Sequence, residues 1–242
     1  MQLAHMLVLF LLHHCWYVLP VVGVITQAVC NSFKTQILQG VHNFSNISAT
    51  AGSVAAGTGV YTVTLTGGAN NGLAGQVMVA AGFGTAANNG TYSITASNAT
   101  TVTTTNTNSA NSGAMGTCTL GDTFKLALYT SSASLDKTTT NYSATNEVGN
   151  SGSYAAGGGA LVSTTPVLST DTSCCLFNTL SFTSATIAAR GALIYNSSKV
   201  LNAAGGAACF VLNFGSDQTS TNGTFSITFP AQTAGNAILG LA

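Results

Sequence analysis

Very few side chains in this chain are available for acid–base chemistry: Asp122, Asp136, Glu147, Asp171 and Asp217 are its acids, and His5, His13, His14 and His42 its histidines. Three of the histidines lie in an apolar N-terminal stretch, which leaves His42 as the body's only candidate general base. A Ser-His-Asp site built on His42 lacks the nucleophile-elbow motif that would present the serine. A glycosidase carboxylate pair would have to come from the five acids. Asp136, Asp171 and Asp217, however, stand in Leu135-Asp136-Lys137, Thr170-Asp171-Thr172 and Ser216-Asp217-Gln218, contexts in which aspartate is usually a turn residue. Cysteines at 15, 30, 118, 174, 175 and 209 show no CxxC spacing, so a four-ligand zinc site is not expected. Gly157-Gly158-Gly159 is followed by neither Lys-Ser nor Lys-Thr and is not a phosphate loop. The residues therefore assign no catalytic, cofactor-binding or metal-ligating group, and the expectation is a protein that is not an enzyme.

Arg190 is the only arginine. It sits in Thr186-Ile187-Ala188-Ala189-Arg190-Gly191-Ala192-Leu193-Ile194-Tyr195, where apolar residues occupy both parities, the pattern of a strand buried on both faces. A guanidinium there keeps its charge and costs several kcal/mol to desolvate unless acceptors surround it. Glu147, the single glutamate, is the first expected partner, with Asp122 and Asp217 behind it. The Arg190–Glu147 pair is read as structural, fixing strand register, and not as a ligand site.

The elements that must position these residues follow from composition. Charged residues make up only 4% of the chain, against about 25% in ordinary soluble domains. With net charge zero there is no basic face to grip nucleic acid and no polybasic patch for anionic lipid. A surface so poor in charge favours association, which implies that copies of the chain or a larger assembly cover it. The adjacent Cys174 and Cys175 point to opposite faces of a strand and read as buried free thiols of a reducing cytoplasm.

Residues 1–28 form an apolar leader. Its first lysine or arginine is Lys34, so the charge expected ahead of a secretory signal is missing. Either the leader is a membrane anchor or signal, or translation begins near Val24. Asn31 or Ser32 then caps a short helix carrying Phe33, Ile37 and Leu38, ended by Gly40. Residues 45–118 contain no Asp, Glu, Lys, Arg or His. Their alternating runs at Tyr61-Val63-Leu65, Gln76–Val79 and Thr91–Thr95 read as a small β module of about four strands, with Ser/Gly/Ala-rich linkers at 45–59 and 106–116. Further strands are expected at 123–129, 174–182, across Arg190, at 207–214 and 224–229, and at 237–241. The result is an all-β main domain, a β-sandwich or jelly-roll-like fold with one short N-terminal helix, formed by 31–44 and 119–242.

The order Asn31-Ser32-Phe33-Lys34, Phe124-Lys125-Leu126-Ala127-Leu128-Tyr129, Tyr142-Ser143-Ala144, Glu147-Val148, Gly157-Gly158, Ala189-Arg190-Gly191, Phe214-Gly215 and Gly223-Thr224-Phe225 resembles a group of small structural proteins of tailed bacteriophages. The match covers about residues 31–44 and 121–242. In that family the capped helix leads almost directly into the Phe-Lys-Leu-Ala-Leu-Tyr strand, so 45–118 looks like an inserted domain. Asn178 and Asn213 stand where acids are expected, which puts more weight on Glu147. The resemblance implies a virion component of capsid-decoration or tail type, assembled in the host cytoplasm. Its partners would be copies of itself and other virion proteins, with no cofactor, no nucleic acid and no membrane. The exposed insert would hold a host-surface glycan through Asn, Thr and Tyr side chains. The alternative is a secreted or membrane-tethered bacterial adhesin whose β module binds glycans and whose leader is real.

Overall fold

A computed structural model describes residues 23–44, 47–63, 65, 70, 72–113, 115–164, 166–199 and 205–241. Strands account for 48% of the structure and helix for 6%, so the chain is all-β and sandwich-like, as the alternation of its apolar residues predicts. The short strand β1 (Ala28–Val29) leads into the one described helix, α1 (Asn31–Leu38). Cys30, not Asn31 or Ser32, occupies the N-cap and makes no side-chain cap bond. Phe33 is buried and Ile37 partly so, whereas Leu38 is 87% exposed and does not join the packed face. Gly40, at φ +69, closes the helix with its N–H donating to Ile37 O.

The main sheet has the order β1, β14 (Ala207–Ile227), β13 (Leu180–Asn196), β9 (Phe124–Tyr129) and β10 (Gly159–Leu161) and is antiparallel throughout. β9 and β13 lie inside it, which is why Phe124, Leu126, Leu128, Ala192, Leu193 and Ile194 are all fully buried. β10 closes one edge. β14 is a single 21-residue strand where two separate strands were expected. Asn222-Gly223 does not turn the chain: Asn222 takes φ +45 at a register shift, and β14 runs on to meet Leu180 at Ile227. A bulge absorbs the irregular residue, and pairing continues. A small sheet of β11 (Val167–Ser169), β12 (Thr172–Cys175) and β15 (Leu239–Leu241) shares the main core through Cys175 and Leu239, and Phe177 just after β12 joins it. Within that core Phe44 stacks on Phe124 at 4.4 Å, and Phe177 bridges to Phe229.

Residues 47–120 build a second core. β2 (Ile47–Ala51), β3 (Ser53–Ala55), β4 (Val60–Thr62), β5 (Val77–Ala81), β6 (Gly90–Ser97), β7 (Thr101–Thr104) and β8 (Gly116–Leu120) pair in the order β2-β8-β5-β6-β7-β4-β3. Gly52 alone separates the two edge strands, so the sheet curls into a nearly closed barrel. Seven strands stand where about four were expected, and the supposed linkers at 45–59 and 106–116 belong to the barrel. β2 and β3 come from the first, while Asn106, Ser109 and Ser112 of the second are buried. Small side chains suit the inside of a tight barrel, and composition alone cannot distinguish that from a linker.

Carboxamides replace charges inside the barrel. Asn88 receives Ala110 N–H on Oδ1 and donates Nδ2 to Ala110 O, both at 2.9 Å. Asn106 Nδ2 donates to Tyr61 Oη and Ala87 O. Asn88 copies the donor–acceptor pair of a neighbouring strand, and both amides satisfy buried polar groups without an ion's desolvation cost.

Candidate functional site

Arg190 lies on β13 but is not sealed within the sheet, and its partner is Asp217, not Glu147. Nε donates to Asp217 Oδ1 at 2.7 Å, with the two side chains 34% and 46% exposed. The register explains the position. Ala189 faces Gln218 and Gly191 faces Asn213, so β14 spends residues 214–217 opposite Arg190 alone. Gly215 turns this excursion at φ +78, and its N–H donates to Asn213 Oδ1. The arginine thus marks a bulge at a solvent-facing part of the sheet, where its charge stays hydrated. Apolar residues of both parities around it reflect the buried half of β13 that begins at Gly191.

Glu147 is held elsewhere. Tyr142 Oη donates to Oε2 at 2.6 Å, and Tyr154 Oη and Gly157 N–H both donate to Oε1 at 2.7 Å. Tyr142 stacks on Tyr195 at 4.7 Å, and Tyr195 Oη donates to Gly157 O. Burial first, and then the carboxylate they contact, push the phenols of Tyr142 and Tyr154 well above the ordinary tyrosine range, and Tyr195 up to about 12 for the same reasons. These groups tie the irregular 142–158 loop to β9 and β13. Gly158 completes the clasp at φ +70, where an added Cβ would lie 1.9 Å from Leu126 O. Sequence reasoning named Glu147 but missed its tyrosines; the signal was three tyrosines, at 142, 154 and 195, in a chain with one glutamate.

His42 and Asp122, which the sequence left unconnected, lie in one buried network. Asn196 Nδ2 sits 2.9 Å from His42 Nδ1 and donates to Asp122 Oδ2 at 2.7 Å, while His42 Nε2 is 2.8 Å from Gln36 Oε1. An amide N–H aimed at Nδ1 leaves the proton on Nε2, directed at Gln36. Burial, opposed by the nearby Asp122, lowers the imidazole pKa. Lys199 Nζ lies 3.4 Å from Asp122 Oδ1, and Asn43 N–H donates to Asp122 Oδ2. Asn43 Nδ2 reaches across to Gln76 Oε1 of the barrel at 3.1 Å. Among the described residues no serine, threonine or cysteine hydroxyl or thiol bonds the imidazole, and its partners Gln36 and Asn196 join α1 to β13.

A cleft of about 900 Å3 opens between residues 24–26, the end of β9 and the 132–146 loop. Serine, threonine and asparagine side chains make up much of its lining, together with Tyr129, Tyr142 and the apolar Val24, Ala133 and Leu135. Among the described residues, no three of His, Cys, Asp and Glu converge, and no helix is long and apolar enough to cross a membrane. Residues 1–22 of the apolar leader lie outside the described residues. The rest of it joins the main domain: Ile25 is buried, and Ala28 and Val29 pair with Val211 and Phe210.

These features define an all-β chain with two apolar cores whose best-connected polar groups brace loops. Comparison with known proteins finds no matching family model, no matching curated protein and no matching solved structure.

Proposed function

We propose that the chain is a non-enzymatic structural component of a tailed-bacteriophage particle, a capsid-decoration or tail-associated protein that assembles through neutral surfaces with copies of itself and other virion proteins. The observation that carries this reading is the use made of its scarce ionisable groups. Asp122 and His42 brace the junction with the barrel, Glu147 clasps a loop, Asp136 holds its own turn through Thr138, and Asp217 pins a bulge. What remains for contact is a surface poor in charge, with Lys34, Lys137 and Asp171 exposed on it, and with scattered apolar side chains such as Val77, Val79, Val162 and Leu168. Burying such surface is worth about 25 cal/mol per Å2 and is multiplied by valency on a symmetric lattice. The order of motifs that resembles small phage structural proteins is the reason the assembly is proposed to be a virion.

Mass spectrometry of gradient-purified particles from a culture carrying the gene tests the proposal. The chain is expected in the particle fraction at a stoichiometry matching a symmetric array and stays there after a high-salt wash. Recovery only in the bacterial membrane or medium, with none in particles, overturns it.

A further inference from the structure

We propose that the cleft between residues 24–26 and the 132–146 loop is a binding site for a neutral polyhydroxylated ligand, an oligosaccharide. Its volume of about 900 Å3 lies within the range of small-molecule sites, roughly 300–1,000 Å3. The chemistry of its walls selects the ligand. No lysine or arginine lines it, so a phosphate, sulfate or nucleic-acid backbone finds no countercharge. Asp136 is the only acid in the lining, and its Oδ1 already accepts Thr138 N–H at 2.7 Å and Thr138 Oγ1 at 2.6 Å, so a cation meets one exposed, partly occupied carboxylate. An apolar ligand would leave a wall of serine, threonine and asparagine groups desolvated and unpaired. A ligand that both donates and accepts at many points satisfies them, and sugar hydroxyls do so.

Two observations mark the cleft as built. Thr26, Ser134, Thr140 and Asn141 line it with side chains that have no hydrogen-bond partner among the described residues, which leaves several donors and acceptors free along one surface. The backbone behind them is fixed. Thr26 N–H donates to Leu135 O, Leu135 N–H to Val24 O, and Tyr142 N–H to Gly206 O. Asn146 is held at φ +61, an uncommon conformation for a residue other than glycine, by Thr130 N–H on its carbonyl and by its own Nδ2 on Ser132 O. Tyr142, braced by its stack on Tyr195, gives a wall on which the C–H face of a sugar ring can lie. Rigid walls reduce the ordering cost of a weakly bonding neutral ligand. The inference stands on this cleft and not on the virion reading, and it places glycan contact in the main domain instead of the charge-free barrel.

The full chain, labelled on an amine, is applied to an array of neutral, sialylated and sulfated oligosaccharides, and hits are titrated by calorimetry. Binding to neutral glycans is expected, with an affinity insensitive to salt. Asn141→Ala and Thr140→Val each lower it about tenfold, the weight of one well-placed hydrogen bond. Ser134→Arg, which fills the cleft, abolishes it while the thermal transitions stay in place. Silence across the array, recognition confined to charged glycans, or unchanged binding by all three variants overturns the site. Each of those outcomes leaves recovery of the chain in purified particles unaffected, so the two proposals fail separately.

Discussion

Glu147 accepts from two phenols and one backbone N–H, and a carboxylate is the only side chain whose two oxygens can serve all three donors. Glu147→Gln turns an NH2 group toward a donor and leaves it unpaired in a half-buried place. The expected loss is about 1–3 kcal/mol in urea unfolding, and a loss below about 0.5 kcal/mol would show the clasp to be incidental. His42 contributes a pH dependence just below neutrality. Its pKa is lowered in the fold from an ordinary 6.5, so the unfolded chain binds its proton more readily. Stability from this group is therefore complete above about pH 6.5 and is lost as the pH falls from there toward the lowered folded value. Denaturation midpoints followed downward through that window should decline in the native chain. In His42→Gln, which keeps a hydrogen-bonding amide but cannot titrate, the decline should flatten.

At the level of strands, the bulge opposite Arg190 separates two effects that the sequence merges. The ion pair is solvent-exposed, so a double-mutant cycle on Arg190→Ala and Asp217→Ala should give a coupling at or below about 1 kcal/mol. A coupling of several kcal/mol would restore the view of a sealed pair. Two glycines calibrate the backbone itself. Gly215, at φ +78 with open space around an added Cβ, should lose about 1 kcal/mol as Gly215→Ala, from strain alone. Gly158 has a similar φ of +70 but a carbonyl in the way, so Gly158→Ala should cost more than about 3 kcal/mol or prevent folding. Equal costs in thermal melts would contradict the close approach of the 142–158 loop to Leu126. β13 and β14 were legible as apolar runs, yet their lengths were not. Asn213, Gly215 and Asn222 are residues that end strands locally, and only partner pairing carries the strand past them.

Across the whole molecule, two apolar cores meet through a narrow polar junction at Asn43, Gln76 and Asp122. Calorimetry should resolve two transitions. Met78→Ala, at a fully buried barrel position, should weaken one of them by about 2–5 kcal/mol, and Leu193→Ala the other. A single transition shifted equally by both substitutions would mean that the cores fold as one. Scarcity of charge belongs to this scale too. With so little charge repulsion the free chain is prone to associate, which is the physical ground for the assembly proposed above.

By itself the sequence determined the all-β class, the alternating faces of barrel strands such as β5, the buried thiols at 174 and 175 and the charge-free stretch at 45–118, because each depends on local periodicity or composition; β9 alternates in sequence yet is buried on both faces. Which acid meets Arg190, which groups surround Glu147, that Asn196 joins His42 to Asp122, and that serines and threonines of an irregular loop line a cleft were decided only by the tertiary structure. Those partners lie 5 to 154 residues apart along the chain, and their meeting depends on strand register and bulges. A one-residue slip reverses the faces of a strand, and no spacing in the sequence records it.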